Sequence, residues 1–290
     1  MFFSIFGLII CRFDMTIRCV VFILVCLATI LLTGCGVRIG VSRDFEREFG
    51  EVQDVFDLAG KLPMEEQPAE FKRIALMYQG LIDRGMKSGQ LYYNQGNAWF
   101  YAGERGRAIA AYRLALRYLP CDSRIHANLR VAGGGNVGAN EENSNFVSGQ
   151  IIFFEYLFFW QNWIGVHQKV FYSELLSVLF FVVGIIVLFV RQRFRRFWRR
   201  FVIFLFVLTL ISVVSAAYDW YRFECFSYAV ISVEDAQPRK GNSEQYDKAF
   251  TRPVPLGTNA TIIGERGEWL HLNFGKTQDG WLPKSQVAVY

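Results

Sequence analysis

The amino-acid sequence predicts a multi-domain membrane protein: an α-helical solenoid, two transmembrane helices and a small all-β barrel, in that order. Three observations carry this. Hydrophobic residues make up 52 % of the 290-residue chain and aromatics 17 %, with 28 Phe, which points to membrane segments. Two long apolar runs, 171–190 and 201–217, flank an arginine cluster. Ahead of them apolar residues recur with helical period, and after them short β-rich runs alternate with turns.

The formal net charge of +5 is unevenly spread, because "RQRFRRFWRR" (191–200) holds six arginines and no acid. Between Gly36 and Gln150 basic and acidic residues balance, so no nucleic-acid footprint exists and no nucleic acid is expected as a partner. The chain has six cysteines, and Cys11, Cys19 and Cys26 precede Cys35. Cys121 and Cys225 then remain, too few for a disulfide framework. They are expected as two buried free thiols, or as a pair in an oxidising compartment.

Residues 1–34 have the order of a secretory signal. "MTIR" (15–18) is a positive n-region, and the uncharged run from Cys19 to Thr33 is short for a span, which needs roughly 17–25 residues. Arg12 and Asp14 interrupt the apolar pattern before it, which suggests that translation begins at Met15. "LTGC" (32–35) resembles the lipobox of bacterial lipoproteins, which implies a diacylglyceryl group, hence membrane lipid, on Cys35. The alternative is an uncleaved signal anchor; either one exports the chain beyond it.

Residues 36–132 form the predicted solenoid. "LYYNQGNAWFYAGERGRAIAAYRLALRYLP" (91–120) has the tetratricopeptide-repeat (TPR) pattern in a 34-residue frame opened at Gly89. Gly96 and Ala108 let two antiparallel helices approach, Trp99 and Tyr112 fill the space between them, and Pro120 ends the second. One repeat cannot bury its own face, and about three are usually needed. "DFEREFGEVQDVFDLAG" and "PAEFKRIALMYQGLIDRG" supply two upstream helices, and "DSRIHANLRVA", with its Asp/Ser cap, closes the array. The resemblance puts Tyr93, Asn97, Phe100 and Tyr101 on the concave groove, where aromatics and an amide suit an extended or helical peptide. Phe100 could equally pack against the next repeat. Core positions take Gly, Ala and aromatics, so no partner for the Asn97 amide is expected within the hairpin. Tyr93 stands where acidic-tail-binding repeats carry Lys, which argues against a carboxylate clamp.

Residues 133–150 read as a Gly/Asn-rich flexible linker. "IIFFEYLFFWQNW" (151–163), within a 151–170 segment, is short and interrupted by Glu155; it suits an interfacial helix better than a third span. The runs 171–190 and 201–217 are each long enough to cross ~30 Å of hydrocarbon at about 1.5 Å per residue. Tyr218, Trp220 and Tyr221 come next as an aromatic belt. The 191–200 loop belongs in the cytoplasm by the positive-inside rule, which leaves both flanking domains outside.

Residues 225–290 hold "SYAVISV", "NATIIGE", "WLHLNF", "GWLP" and "QVAVY", with turns at Arg266–Gly267–Glu268 and Gly275–Lys276. The size suits a five-stranded barrel. Leu256–Gly257, Glu268–Trp269 and Gly280–Trp281–Leu282–Pro283 resemble the bacterial SH3-like family. Trp269 is open between core and rim, while Trp281 with Pro283 makes the better ligand surface.

His126, His167 and His271 stand in three separate segments without neighbours at metal-ligand spacing, and no nucleophile elbow, P-loop or dinucleotide fingerprint occurs. The expectation is a non-enzymatic protein without cofactor. The order of signal, TPR array, two-span hairpin and SH3-like barrel resembles the BatE family of bacterial aerotolerance (Bat) operons; Cys35 departs from that pattern. The resemblance implies an inner-membrane scaffold for envelope or oxidative stress. Its TPR and SH3-like domains would be periplasmic, and its partners von Willebrand A-domain membrane proteins and a MoxR-type ATPase. A cell-wall tether whose barrel binds peptidoglycan is the alternative.

Overall fold

The structure is a computed structural model that describes residues 43–134, 163–189, 195–275 and 278–290. The signal segment with Cys35, nearly all of the 133–150 linker and the 151–163 helix apart from Trp163 lie outside the described residues. Two compact units are present: Gln168–Ala216, and Val41–His167 together with Ala217–Tyr290.

The larger unit begins with helices α1 (Arg43–Ala59), α2 (Gln67–Asp83), α3 (Gly89–Tyr101), α4 (Arg105–Tyr118) and α5 (Ser123–Ala132), each packed on its sequence neighbour. Local chemistry sets their ends. Pro68 sits in the first turn of α2, where its missing N–H is no loss. Ser88 Oγ accepts from the Leu91 N–H to cap α3, and the Asp122 carboxylate accepts from the Arg124 N–H to cap α5. In α2, Phe71, Ile74, Ala75, Tyr78 and Leu81 are all buried, the spacing of one helical face. A Cβ on Gly96 would lie 2.6 Å from the Tyr112 ring, so α3 and α4 touch because that side chain is absent.

The same unit holds five strands: β1 (Tyr228–Ile231), β2 (Asn259–Arg266), β3 (Trp269–Gly275), β4 (Gln278–Pro283) and β5 (Val287–Val289). They form one antiparallel sheet in the order β4-β3-β2-β1-β5, with a single 3-10 turn at Lys284–Gln286 before the last strand. Gly267 and Gly275 take positive φ (59° and 105°) at the hairpin turns, where side chains are strained.

Sheet and helices are not separate bodies. β1 is buried along its whole length: Ala229 and Ile231 join the sheet's own core, while Val230 joins the core of the helical array with Ala288 of β5. Helix α4 packs on β1 and β5. A Cβ on Gly106 would fall 2.4 Å from the Ser232 Cα, and Arg105 Nη1 pairs with Glu234 Oε1 at 3.3 Å. The array and the sheet, which stand in the sequence on either side of the two-span hairpin, share an apolar core.

Helices α6 (Val166–Phe189) and α7 (Arg195–Glu224) supply the smaller unit with their stretch from Gln168 to Ala216, while the C-terminal end of α7 belongs to the larger one. Both are long and apolar enough to cross a membrane by length and composition. Each outruns its expected span, and Arg195 to Arg200, expected in a loop, already belong to the first turns of α7. Within this unit the Ser173 and Ser212 hydroxyls lie 2.7 Å apart, and Phe180 meets Phe206 at 5.7 Å. Val183 and Leu205 are buried, whereas Val178, Val182, Ile203, Phe204 and Leu210 are exposed.

Candidate functional site

Helix α3 presents Tyr93, Asn97 and Tyr101 in line, four residues apart, on a single face. At one end of this row the contacts come from α4 and α5. The Tyr112 hydroxyl donates to Asn97 Oδ1 at 2.9 Å, Asn128 Nδ2 donates to the same oxygen at 2.9 Å, and Asn128 Nδ2 also reaches the Tyr93 hydroxyl at 3.3 Å. The Arg124 guanidinium lies 5.5 Å from the Tyr93 ring centre. Burial pushes the Tyr112 phenol well above its ordinary pKa, which keeps it a neutral O–H donor.

The Tyr112 contact overturns the expectation that nothing within the hairpin needs the Asn97 amide. Its carbonyl oxygen, on a half-buried side chain, is the acceptor that satisfies Tyr112, itself 1 % exposed. The two donors also fix the amide orientation, because a flipped Asn97 would face the Asn128 NH₂ with its own. Among the described residues the Asn97 NH₂ meets no acceptor, so it remains the unused donor of the row.

At the other end, Tyr101 is 55 % exposed and stacks on Phe71 at 4.9 Å. Phe56 and Phe100 meet Tyr101 edge-on at 6.1 and 5.9 Å, so Phe100 packs and borders the surface at once. The row therefore runs from a polar relay to a four-ring aromatic patch. Asn128 was missed by sequence reasoning; its only signal was its place one turn beyond Arg124 on the closing helix.

Behind the row, amides tie α3 to its neighbours. Gln95 Nε2 donates to Gln79 Oε1 at 2.7 Å, and Asn94 Nδ2 donates to Gln53 Oε1. Next to them burial pushes the Tyr78 phenol up to about 12, with Asn94 drawing it partly back without closing a hydrogen bond. Arg84 bridges to Glu48 and holds that carboxyl below its ordinary range.

The outward face of the sheet gathers the other sequence candidates. The register pairs Trp269 with Pro283 and His271 with Trp281, while Leu270, Leu272 and Leu282 point into the core. The His271 ring lies parallel to Trp281, 2° apart with centres 4.6 Å away, and His271 Nε2 contacts Asp279 Oδ2 at 2.6 Å. Trp269, Trp281 and Pro283 are each half-buried on this face. His126 Nε2 lies 2.7 Å from the Pro120 carbonyl, and His167 packs on Tyr118. Cys121 and Cys225 are free and exposed, which corrects the expectation of buried thiols. Among the described residues no group of His, Cys, Asp and Glu could hold a metal.

Where sheet meets helices, Arg117 of α4 lies 4.5 Å from the Phe223 ring, 5.4 Å from Tyr290 and 5.9 Å from Tyr228. Burial among these rings lowers its pKa, and the ring faces offset part of the desolvation cost. The fold defines a mixed protein: a packed helical array, a small antiparallel sheet docked on it, and two apolar helices. Comparison with family models, with curated proteins and with solved structures finds no match to this chain.

Proposed function

We propose that this protein is a non-enzymatic adaptor of the bacterial inner membrane that grips peptide segments of partner proteins along the Tyr93–Asn97–Tyr101 row. The observation that carries the reading is the state of Asn97: its carbonyl is consumed by the fold and its NH₂ is not, with an exposed tyrosine one turn away. A free amide donor beside aromatic rings suits a peptide carbonyl and its neighbouring side chain. The consecutive helix pairing and the Gly96–Tyr112 contact support a TPR-type array. The strand order and the 3-10 turn before β5 support an SH3-like barrel.

On this reading α6 and α7 are the membrane anchor, supported by the apolar side chains they leave exposed. Cys35 carries lipid, and the array and the sheet face the periplasm. The partners are those of a Bat-type stress complex, namely von Willebrand A-domain membrane proteins working with a MoxR-type ATPase. The test is a detergent pull-down of tagged full-length protein from an organism that encodes such partners. Wild type retrieves A-domain proteins, and Asn97→Asp with Tyr101→Ala does not. Equal retrieval by both would remove the row from recognition. The shared outward face of Trp269, Trp281 and Pro283 favours a second reading, a peptidoglycan tether, which binding of the full chain to purified sacculi and its loss in Trp281→Ala would establish.

A further inference from the structure

A cavity of about 550 Å³ opens between α4 and the connection from β1 to β2, a volume in the range of small-ligand sites. Helix α4 contributes Arg113 and the connection contributes Arg252, so only the docking of helices on sheet brings these two arginines to one cavity. Phe250, Phe274 and Pro253 supply apolar walls.

The polar groups are arranged for an anion. Arg113 Nε is buried and has no hydrogen-bond partner, a costly state for a guanidinium, whose donors are normally satisfied. Among the described residues neither Arg113 nor Arg252 has an ion-pair partner, and none that lines the cavity is acidic. Asn259 also lines it; its Oδ1 accepts from the Tyr290 hydroxyl at 2.6 Å, which leaves the amide NH₂ as a donor. Elsewhere in this unit Lys240 pairs with Asp247, Lys284 with Glu265 and Arg105 with Glu234. At this cavity two guanidinium groups without an ion pair stand together beside aromatic walls.

We propose that this cavity binds a carboxylate carried on an aromatic or apolar group, as in an acidic–aromatic peptide segment. The planar guanidinium fork matches a carboxylate in two parallel hydrogen bonds, and the Asn259 NH₂ adds a third donor. The ring or aliphatic body of the ligand lies against Phe250 and Phe274. The site is separate from the Tyr93–Tyr101 row and does not depend on what that row binds.

The test uses the full chain in detergent micelles and fluorine NMR of two probes, N-acetyl-4-fluorophenylalanine and its neutral carboxamide. The acid should broaden saturably and bind at least tenfold more tightly than the amide, with affinity falling as salt rises. Arg113→Gln and Arg252→Gln should each weaken the acid about tenfold, the effect of losing one charge-assisted contact. Lys240→Gln should change nothing. Arg252 is exposed, so its variant reports on binding even if Arg113→Gln disturbs the seam. Equal binding of acid and amide, no binding of either, or an unchanged affinity in Arg252→Gln would overturn the proposal. Displacement of the acid by inorganic phosphate at far lower concentration than by acetate would also do so, in favour of a phosphate site.

Discussion

Replacing Asn97 by Ala should loosen the array from inside, before any ligand is considered. The substitution deletes the one acceptor shared by Tyr112 and Asn128. Asn128 is half-exposed and can turn to water, so its loss is small. The Tyr112 hydroxyl cannot, because the side chain is 1 % exposed and wedged against Gly96. An orphaned buried donor costs about 1–3 kcal/mol. Opening of α3 and α4 should become easier by that amount, which is about five- to 150-fold in an equilibrium constant. Native-state hydrogen exchange with mass spectrometry on the full chain reads this directly as faster exchange in peptides covering 89–118. Asn97→Asp keeps an oxygen in place and should exchange near the wild-type rate while losing the NH₂ donor. The pair of variants thus separates the structural carbonyl from the amide NH₂. If Asn97→Ala exchanges within about twofold of wild type, the relay is not holding Tyr112 and the reasoning fails.

Gly96→Leu should force α3 and α4 apart, because its Cβ alone meets the Tyr112 ring at 2.6 Å; a loss of about 1–3 kcal/mol in denaturant melts is expected, and an unchanged midpoint would refute the close contact. Tyr78 has a folded-state pKa of about 12 against an ordinary 10.0, so its contribution is complete below pH 10 and is lost as pH rises through about 12. That span is worth about 3 kcal/mol, and Tyr78→Phe should flatten the stability profile between pH 9 and pH 11.5. Alkaline phosphatase fused after Tyr290 should be active and fused after Phe197 inactive; an inactive fusion at Tyr290 would mean that α7 does not cross or that the 151–163 segment does.

Much of the local structure was legible. The helix start at Asp122 is set by its capping side chain, and all five strands fall on the β-rich runs quoted from the sequence. Gly96 facing an aromatic was readable from spacing alone. Asn97 was half legible. Its place on the groove row is what the repeat resemblance implies, but its acceptor role depends on Tyr112 and Asn128, which reach it from two other helices. Pattern on one helix cannot show a hydrogen bond that a second and a third helix complete.

The seam between helices and sheet was invisible for a sharper reason. A strand that buries a single face alternates, and "YAVI" does not; its four residues are all buried because one face serves the sheet and the other serves the helices. Lack of alternation is therefore the signal, and it is a weak one, because a short apolar run also fits an ordinary barrel strand. Gly106 carries a similar message. Its position on α4 has no use within the helical array, and its missing Cβ is explained only by Ser232. Arg117 and Arg113 are the charged counterparts: on a free-standing array they would be ordinary solvated arginines of a last helical pair. Docking buries one among Phe223, Tyr228 and Tyr290 and sets the other at a cavity wall without a counter-charge. The residues that join the two halves are thus the ones whose local pattern has no local explanation.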